Sequence, residues 1–186
     1  MTEESEDGIP QVLFERCQRG ESASLTEIYQ RFAGVVHGIV LVAIGRQDVD
    51  DVTQEVFMKV HGSIATVRDR DALPGWICTI ARNAARDHGR KRQRHESTRP
   101  LHLVEEPVAE TVEDHPMERG ELREQVLALI RGLPESYRET LIMRLAEGLT
   151  GPQIAARTGM THGSVRVNLS RGMAQLRPLL AKKGWS

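Results

Sequence analysis

Aromatic residues are scarce in this chain: Phe, Trp and Tyr together make up 4% of 186 positions. Such a composition fits small helical domains with aliphatic cores better than a sheet sandwich. Cysteine is scarcer still. Cys17 and Cys78 are the only two, far apart and outside any C-x-x-C pattern, which argues against a disulfide framework and for two ordinary buried thiols in a reducing compartment. The histidines lack partners at metal-ligand spacing, so neither a metal nor a cofactor is expected. Long apolar runs are also missing. The longest, Val35–Ile44, is broken by His37 and Gly38 and is too short to span a bilayer, and no signal peptide opens the chain. A soluble cytoplasmic protein without membrane insertion is expected.

A net charge of −1 looks featureless until it is divided by segment. Glu3, Glu4, Glu6 and Asp7 make the start acidic, and Arg82–Arg94 is strongly basic. The stretch from His95 to Glu118 holds seven acids and one Arg, and the last helical segment is basic again. Opposed blocks of this kind point to polyanion-binding surfaces joined by an acidic tether.

The most informative stretch is Gly148–Leu180. Thr150 can cap a short helix that tolerates Pro152 in its first turn and carries Ile154 and Ala155 on its apolar side. Gly159 allows a sharp left-handed stop. Thr161 offers a second cap, behind which Val165, Leu169, Met173, Leu176 and Leu180 recur at helical spacing. This is the outline of a helix-turn-helix. Ser164, Arg166, Val167, Ser170 and Arg171 lie on the other face, and from His162 to Lys183 there are five Lys or Arg and no Asp or Glu. An apolar back and an uncompensated basic front suit the DNA major groove better than a merely solvated surface.

Upstream, Pro10 opens a helix with Val12, Leu13, Arg16 and Cys17 that ends at Gly20. Leu25, Ile28, Tyr29, Phe32, Val36, Ile39, Val40 and Ala43 form the buried stripe of a longer helix that stops at Gly45. Asp48 can cap the helix Asp48–His61, in which Val49, Val52, Val56 and Val60 face inward. Its polar side shows Asp51, Gln54, Glu55 and Lys59. Periodicity leaves that side open between an i,i+4 Glu55–Lys59 pair and a docking face for a protein. A polar connector follows, with Asp71 placed to cap the next helix and Pro74 in its first turn. That helix, running to about Arg92, has Trp76, Ile77, Ile80, Ala81, Ala84 and His88 on one stripe, with Trp76 as a core anchor. Arg82, Arg86 and Arg90 stand four apart on another, beside Asn83, and form a second nucleic-acid surface. Residues 95–116 contain Pro100, Pro107 and Pro116 without periodicity and read as a linker. Beyond it, Leu122, Val126, Leu129 and Ile130 face inward on one helix, and Tyr137, Leu141, Ile142 and Leu145 on the next. The expected fold is all-α, with domains at 9–94 and 117–183 joined by the linker 95–116.

Four segments, DVDDVTQEVFMKV (Asp48–Val60), PGWICTIARNAARDHGRKR (Pro74–Arg92), LPESYRETLIMRLAEGLTGPQIAARTGM (Leu133–Met160) and GSVRVNLSRGMAQLR (Gly163–Arg177), together resemble bacterial sigma factors of the sigma-70 family. The resemblance is to the extracytoplasmic-function (ECF, group IV) class, which keeps only the sigma-2 and sigma-4 domains. It implies that Asp48, Asp51, Gln54 and Glu55 dock on the β′ clamp of core RNA polymerase, with the β subunit as a further contact. It implies that the connector and its helix read the −10 element, through Val67, Arg68, Arg70, Trp76, Arg82, Asn83, Arg86 and Arg90, with Asn83 as the base contact. There a flipped base is held in a pocket, so that capture offsets unstacking. Ser164, Arg166, Val167, Ser170 and Arg171 would read −35 duplex, and a cognate anti-sigma factor is the expected inhibitor. Val67 stands where many relatives have a bulkier residue, Gly172 where Ala is common, and Pro152 where an acid is frequent. A conventional helix-turn-helix regulator explains the C-terminal head but gives no reason for Arg82–Arg94. A metal-dependent nuclease using Asp48, Asp50, Asp51 and Glu55 fares worse, because these carboxylates fan around one helix. The acidic tether is also expected to cover the basic surfaces when polymerase is absent.

Overall fold

Glycines in left-handed backbone punctuate a chain that is otherwise helix-forming. In the computed structural model, which describes residues 9–97 and 119–185, every regular element among the described residues is helical. The helices are α1 (Gln11–Gln18), α2 (Ser22–Ile44), α3 (Val49–Ser63), α4 (Leu73–Ser97), α5 (Arg119–Arg131), α6 (Glu135–Leu145), α7 (Gly151–Thr158) and α8 (His162–Ala181), with a 3-10 turn at Ile64–Thr66. Gly45 and Gly159, at φ 89° and 73°, sit at the ends of α2 and α7, where residues with a Cβ are strained. The N-terminal boundary expected at 94 falls inside α4, which continues to Ser97; the rest of the linker 95–116 lies outside the described residues.

Helix α2 is the hub. Ile28, Phe32, Val35, Val36, Ile39, Val40, Leu41 and Val42 are all buried, more than a single stripe would supply. By length and composition α2 could cross a membrane, but its apolar surface is spent on α3 and α4 and on α6 and α7. The expected stripe is corrected at two positions: Ala43 and Tyr29 are exposed. Tyr29 instead meets Phe57 of α3 with ring centroids 4.7 Å apart. Leu122 and Leu145, expected inside, are also exposed and line an open cleft between α2, α5 and α6. Leu127, by contrast, is buried on α5.

Two expected caps differ from what forms. Asp48 precedes α3 but makes no capping hydrogen bond; its Oδ2 lies 3.0 Å from Nε2 of His88 on α4. Helix α4 begins after Asp71, and it is Asp69 whose Oδ1 accepts the Asp71 backbone N–H at 2.9 Å. The caps of α7 and α8 form as read. Thr150 and Gln153 close a reciprocal capping box, and Thr161 accepts from the Ser164 backbone N–H.

Gly172 gains a structural reason that helix propensity hides. A Cβ there would lie 3.0 Å from Leu141 Cδ1 and 3.3 Å from Tyr137 Cβ. Since Leu141 is fully buried, it has little room to give way, and the missing side chain is what lets α8 approach α6. Gly172→Ala should therefore destabilise the protein. Overpacking costs roughly 1–3 kcal/mol against about 1 kcal/mol of propensity gained, so a melting temperature lowered by a few degrees is expected. A raised melting temperature would show that the α6–α8 interface has slack.

Candidate nucleic-acid interface

The C-terminal head presents its five named residues together. Val165 and Leu176 are buried and anchor the back of α8, while Ser164, Arg166, Val167, Ser170 and Arg171 are all exposed. This separation follows from helical spacing: residues three and four apart share a face. Ser164 also shares the cap, its Oγ 2.9 Å from Thr161 Oγ1. Among the described residues, neither Arg166 nor Arg171 is paired with a carboxylate. The front of α8 is a solvated cationic surface of about two turns.

The second surface is organised differently. On α4, Asn83 is exposed between the buried Ala81 and Ala84. Arg82, Arg86 and Arg90 are all in ion pairs. Arg82 donates from Nε and Nη2 to both carboxylate oxygens of Glu139 on α6, at 2.9 and 2.8 Å. Arg86 donates to Glu135 at 3.1 Å, and Arg90 to Asp87 of its own helix at 2.9 Å. Glu139 is buried. Periodicity gave no warning of a buried acid, although Glu135 and Glu139 share the four-residue spacing of Arg82 and Arg86. In the connector, Arg68 is exposed and Arg70 pairs with Asp71 at 3.1 Å. Val67 belongs to the core, its carbonyl accepting from Gln18 Nε2 at 2.7 Å, and Trp76 is half-buried against that core.

On α3, Asp51 and Gln54 are exposed and Glu55 is half-exposed. Glu55 pairs with Lys59 at 2.7 Å, which holds its carboxyl below the usual range. Met58 beside them is 69% exposed, a large apolar side chain in the middle of a polar face. Asp48 stands apart from this group through its tie to His88.

Two halves of the chain match two family models. Residues 28–95 match sigma-70 region 2, and residues 123–176 match sigma-70 region 4. The chain belongs to the sigma-70 family. It is a sigma factor of the ECF group, acting in transcription initiation, and the regulator reading is not favoured. The ECF RNA polymerase sigma-E factor of Haemophilus influenzae is 29% identical over 87% of this chain and 89% of its own. That of Escherichia coli K12 is 29% identical over 90% of this chain and 92% of its own. Among solved structures, CnrH in complex with the cytosolic domain of CnrY shares the fold at a TM-score of 0.59 and 20% identity, covering 92% of this chain and 96% of that one.

The two halves of the sigma factor meet through a defined seam. His37 Nδ1 on α2 lies 2.8 Å from Glu147 Oε1 after α6, and Cys78 Sγ donates to the Arg157 carbonyl at 3.5 Å. Burial pushes the Cys78 thiol up to about 12, so it should resist alkylation at pH 8 until the halves part. The hydrogen bond to Glu147 raises His37 above its ordinary 6.5, aided by Asp50 and opposed by burial and Arg46. Its stabilising contribution is complete below pH 6.5 and fades as pH rises through the elevated value. Wild type should therefore lose thermal stability over that window while His37→Gln shows no such step. Parallel curves for the two proteins would assign the pH dependence elsewhere.

Proposed function

We propose that this sigma factor is a dissociable, catalytically inert specificity subunit that docks on core RNA polymerase and reads a two-part promoter. The observation that supports this reading is a pair of separate exposed surfaces, the cationic front of α8 and the Asn83 side of α4. Residues 9–94 and 117–183 are its working domains. Asp51, Gln54 and Glu55 of α3 face the β′ clamp, with exposed Met58 adding an apolar contact; Asp48 supports the face from behind through His88. The protein works in the cytoplasm, where polymerase and DNA are.

In the −10 step, Asn83 contacts a base of the melted strand, Arg82, Arg86 and Arg90 follow its backbone, and Arg68 and Arg70 flank the capture loop. Val67 and Trp76 shape that loop from below, as their burial suits. In the −35 step, α8 enters the major groove, with Arg166 and Arg171 to guanine or phosphate and Ser164, Val167 and Ser170 fitting the groove wall. An anti-sigma protein is the inhibitory partner; the fold shared with CnrH, solved with the cytosolic domain of CnrY, is in keeping with that.

Purified core polymerase on a genomic promoter pool, with 5′-end sequencing, tests the whole reading. Discrete new starts preceded by two spaced elements are expected only when the protein is added. Their absence, with duplex binding by the protein alone, would return the case to a conventional regulator. Arg171→Ala should weaken −35 duplex binding by about 1–3 kcal/mol, and unchanged affinity and salt slope would remove it from the interface. Asn83→Ala should impair promoter opening while core binding survives; equal loss of both would overturn its assignment.

A further inference from the structure

The residues on α4 that would follow DNA are already occupied by an internal substitute for it. Arg82 and Arg86 are spaced i,i+4 on α4, and Glu139 and Glu135 are spaced i,i+4 on α6. The rungs run in opposite order, Arg82 to Glu139 and Arg86 to Glu135. Four residues of helix advance about 6 Å, so α6 offers α4 two anionic groups at a regular step, as a nucleic-acid backbone does. The inner rung is bidentate, and its carboxylate is buried. Such charge-assisted pairs are the strong ones.

The seam around this ladder is close. A side chain at Gly159, in the turn of the helix-turn-helix, would lie 3.4 Å from the backbone nitrogen of Gly75 near the start of α4. One at Gly38 of α2 would lie 3.4 Å from Ile142 Cγ2 of α6. The −10 reader and the head of the −35 reader are thus in backbone contact. Promoter elements named for positions −10 and −35 stand about 25 base pairs apart, about 85 Å at 3.4 Å per pair. A chain whose two readers touch cannot occupy both elements.

From these contacts we infer that the packed arrangement is an autoinhibited state, in which Glu135 and Glu139 of α6 act as a carboxylate latch on the DNA-facing arginines of α4. The inference rests on the reading of α4 as a DNA surface. Opening the latch frees Arg82 and Arg86 and separates the two readers in one movement. It differs from shielding by the acidic tether, since the carboxylates that meet these arginines belong to a folded helix of the second half.

The test measures binding of a fluorescent, random-sequence single-stranded DNA 20-mer to the full chain at low salt, with X-ray scattering of the free protein. E135Q/E139Q should bind about tenfold more tightly than wild type and show a larger radius of gyration. E15Q/E27Q, which makes the same change in net charge away from the seam, should gain less than twofold. E135Q alone, at an exposed position, should gain two- to threefold and covers the case where the double variant folds poorly. Equal gains in E135Q/E139Q and E15Q/E27Q, or an unchanged radius, overturn the latch. In R82A/R86A/E135Q/E139Q the gain should vanish. If that protein expands and still gains, the latch opens but α4 is not the surface it releases, and the DNA reading of α4 fails instead. Core-dependent transcription by E135Q/E139Q should match wild type, because neither glutamate is among the residues proposed to meet promoter or polymerase.

Discussion

The arrangement depends on one helix being apolar on two flanks. With few aromatic rings to fill space, the core must come from aliphatic stripes, and α2 supplies the largest share. One flank closes the N-terminal bundle against α3 and α4. The other receives α6 and α7, with Gly34 and Gly38 lowering the surface where Glu147, Ile142 and Met143 come in. A helix buried on both flanks cannot let go of one partner without exposing hydrocarbon to water, at about 25 cal/mol per Å². The association of the two halves therefore has an apolar foundation, but taking the carboxylate from a buried pair such as Arg82–Glu139 leaves a charge without its counter-ion in the seam and weakens the closed state.

The polar half of the seam gives the arrangement its meaning. Arg82 is held by two hydrogen bonds in a partly dry setting, Arg86 by one in a wet setting, and His37 by a carboxylate whose grip depends on protonation. Among the described residues, the front of α8 carries no comparable pairing. Within one chain, the arginine stripe of α4 is closed by internal acids while the cationic front of α8 stays open to solvent. Net charge near zero conceals this, because it adds cations that are already paired to cations that are not.

Much of the fold could be read from the residues. Helix ends written by Gly20, Gly45 and Gly159 were legible because left-handed backbone has few other tenants, and the cap at Thr150 follows from side-chain chemistry alone. The exposure of the five residues on the α8 front was legible because a helix with one buried face leaves the rest outside. Periodicity failed where a helix has two partners or ends in a cleft. Val35, Leu41 and Val42 are buried by the second flank of α2, while Leu122 and Leu145 reach an open groove. Asp48 and Asp71 look like caps by position, but their carboxylates meet other partners, His88 and Arg70. The seam itself was illegible. Nothing in a single sequence says that Glu139 will be buried against an arginine 57 residues away.

Competition at the seam constrains how such a protein can be switched on. A nucleic-acid strand can replace Glu135 and Glu139 as partners of Arg86 and Arg82, since phosphate and carboxylate offer guanidinium the same forked acceptor. It offers nothing in exchange for the contacts of α2 with Ile142 and Met143, or for the backbone approach of Gly75 and Gly159. DNA alone thus opposes only the polar part of the seam, and salt weakens the exposed Arg86 rung and the incoming strand together. Full opening needs a second source of binding energy acting on surfaces outside the seam. The polar and Met58-bearing face of α3 is one such surface, exposed whether the halves are closed or apart. A partner docked there can hold the N-terminal half in place while the C-terminal half is drawn to duplex. On the proposed reading, the order follows from which surfaces are free: α3 first, then α8, and α4 only after α6 has left it.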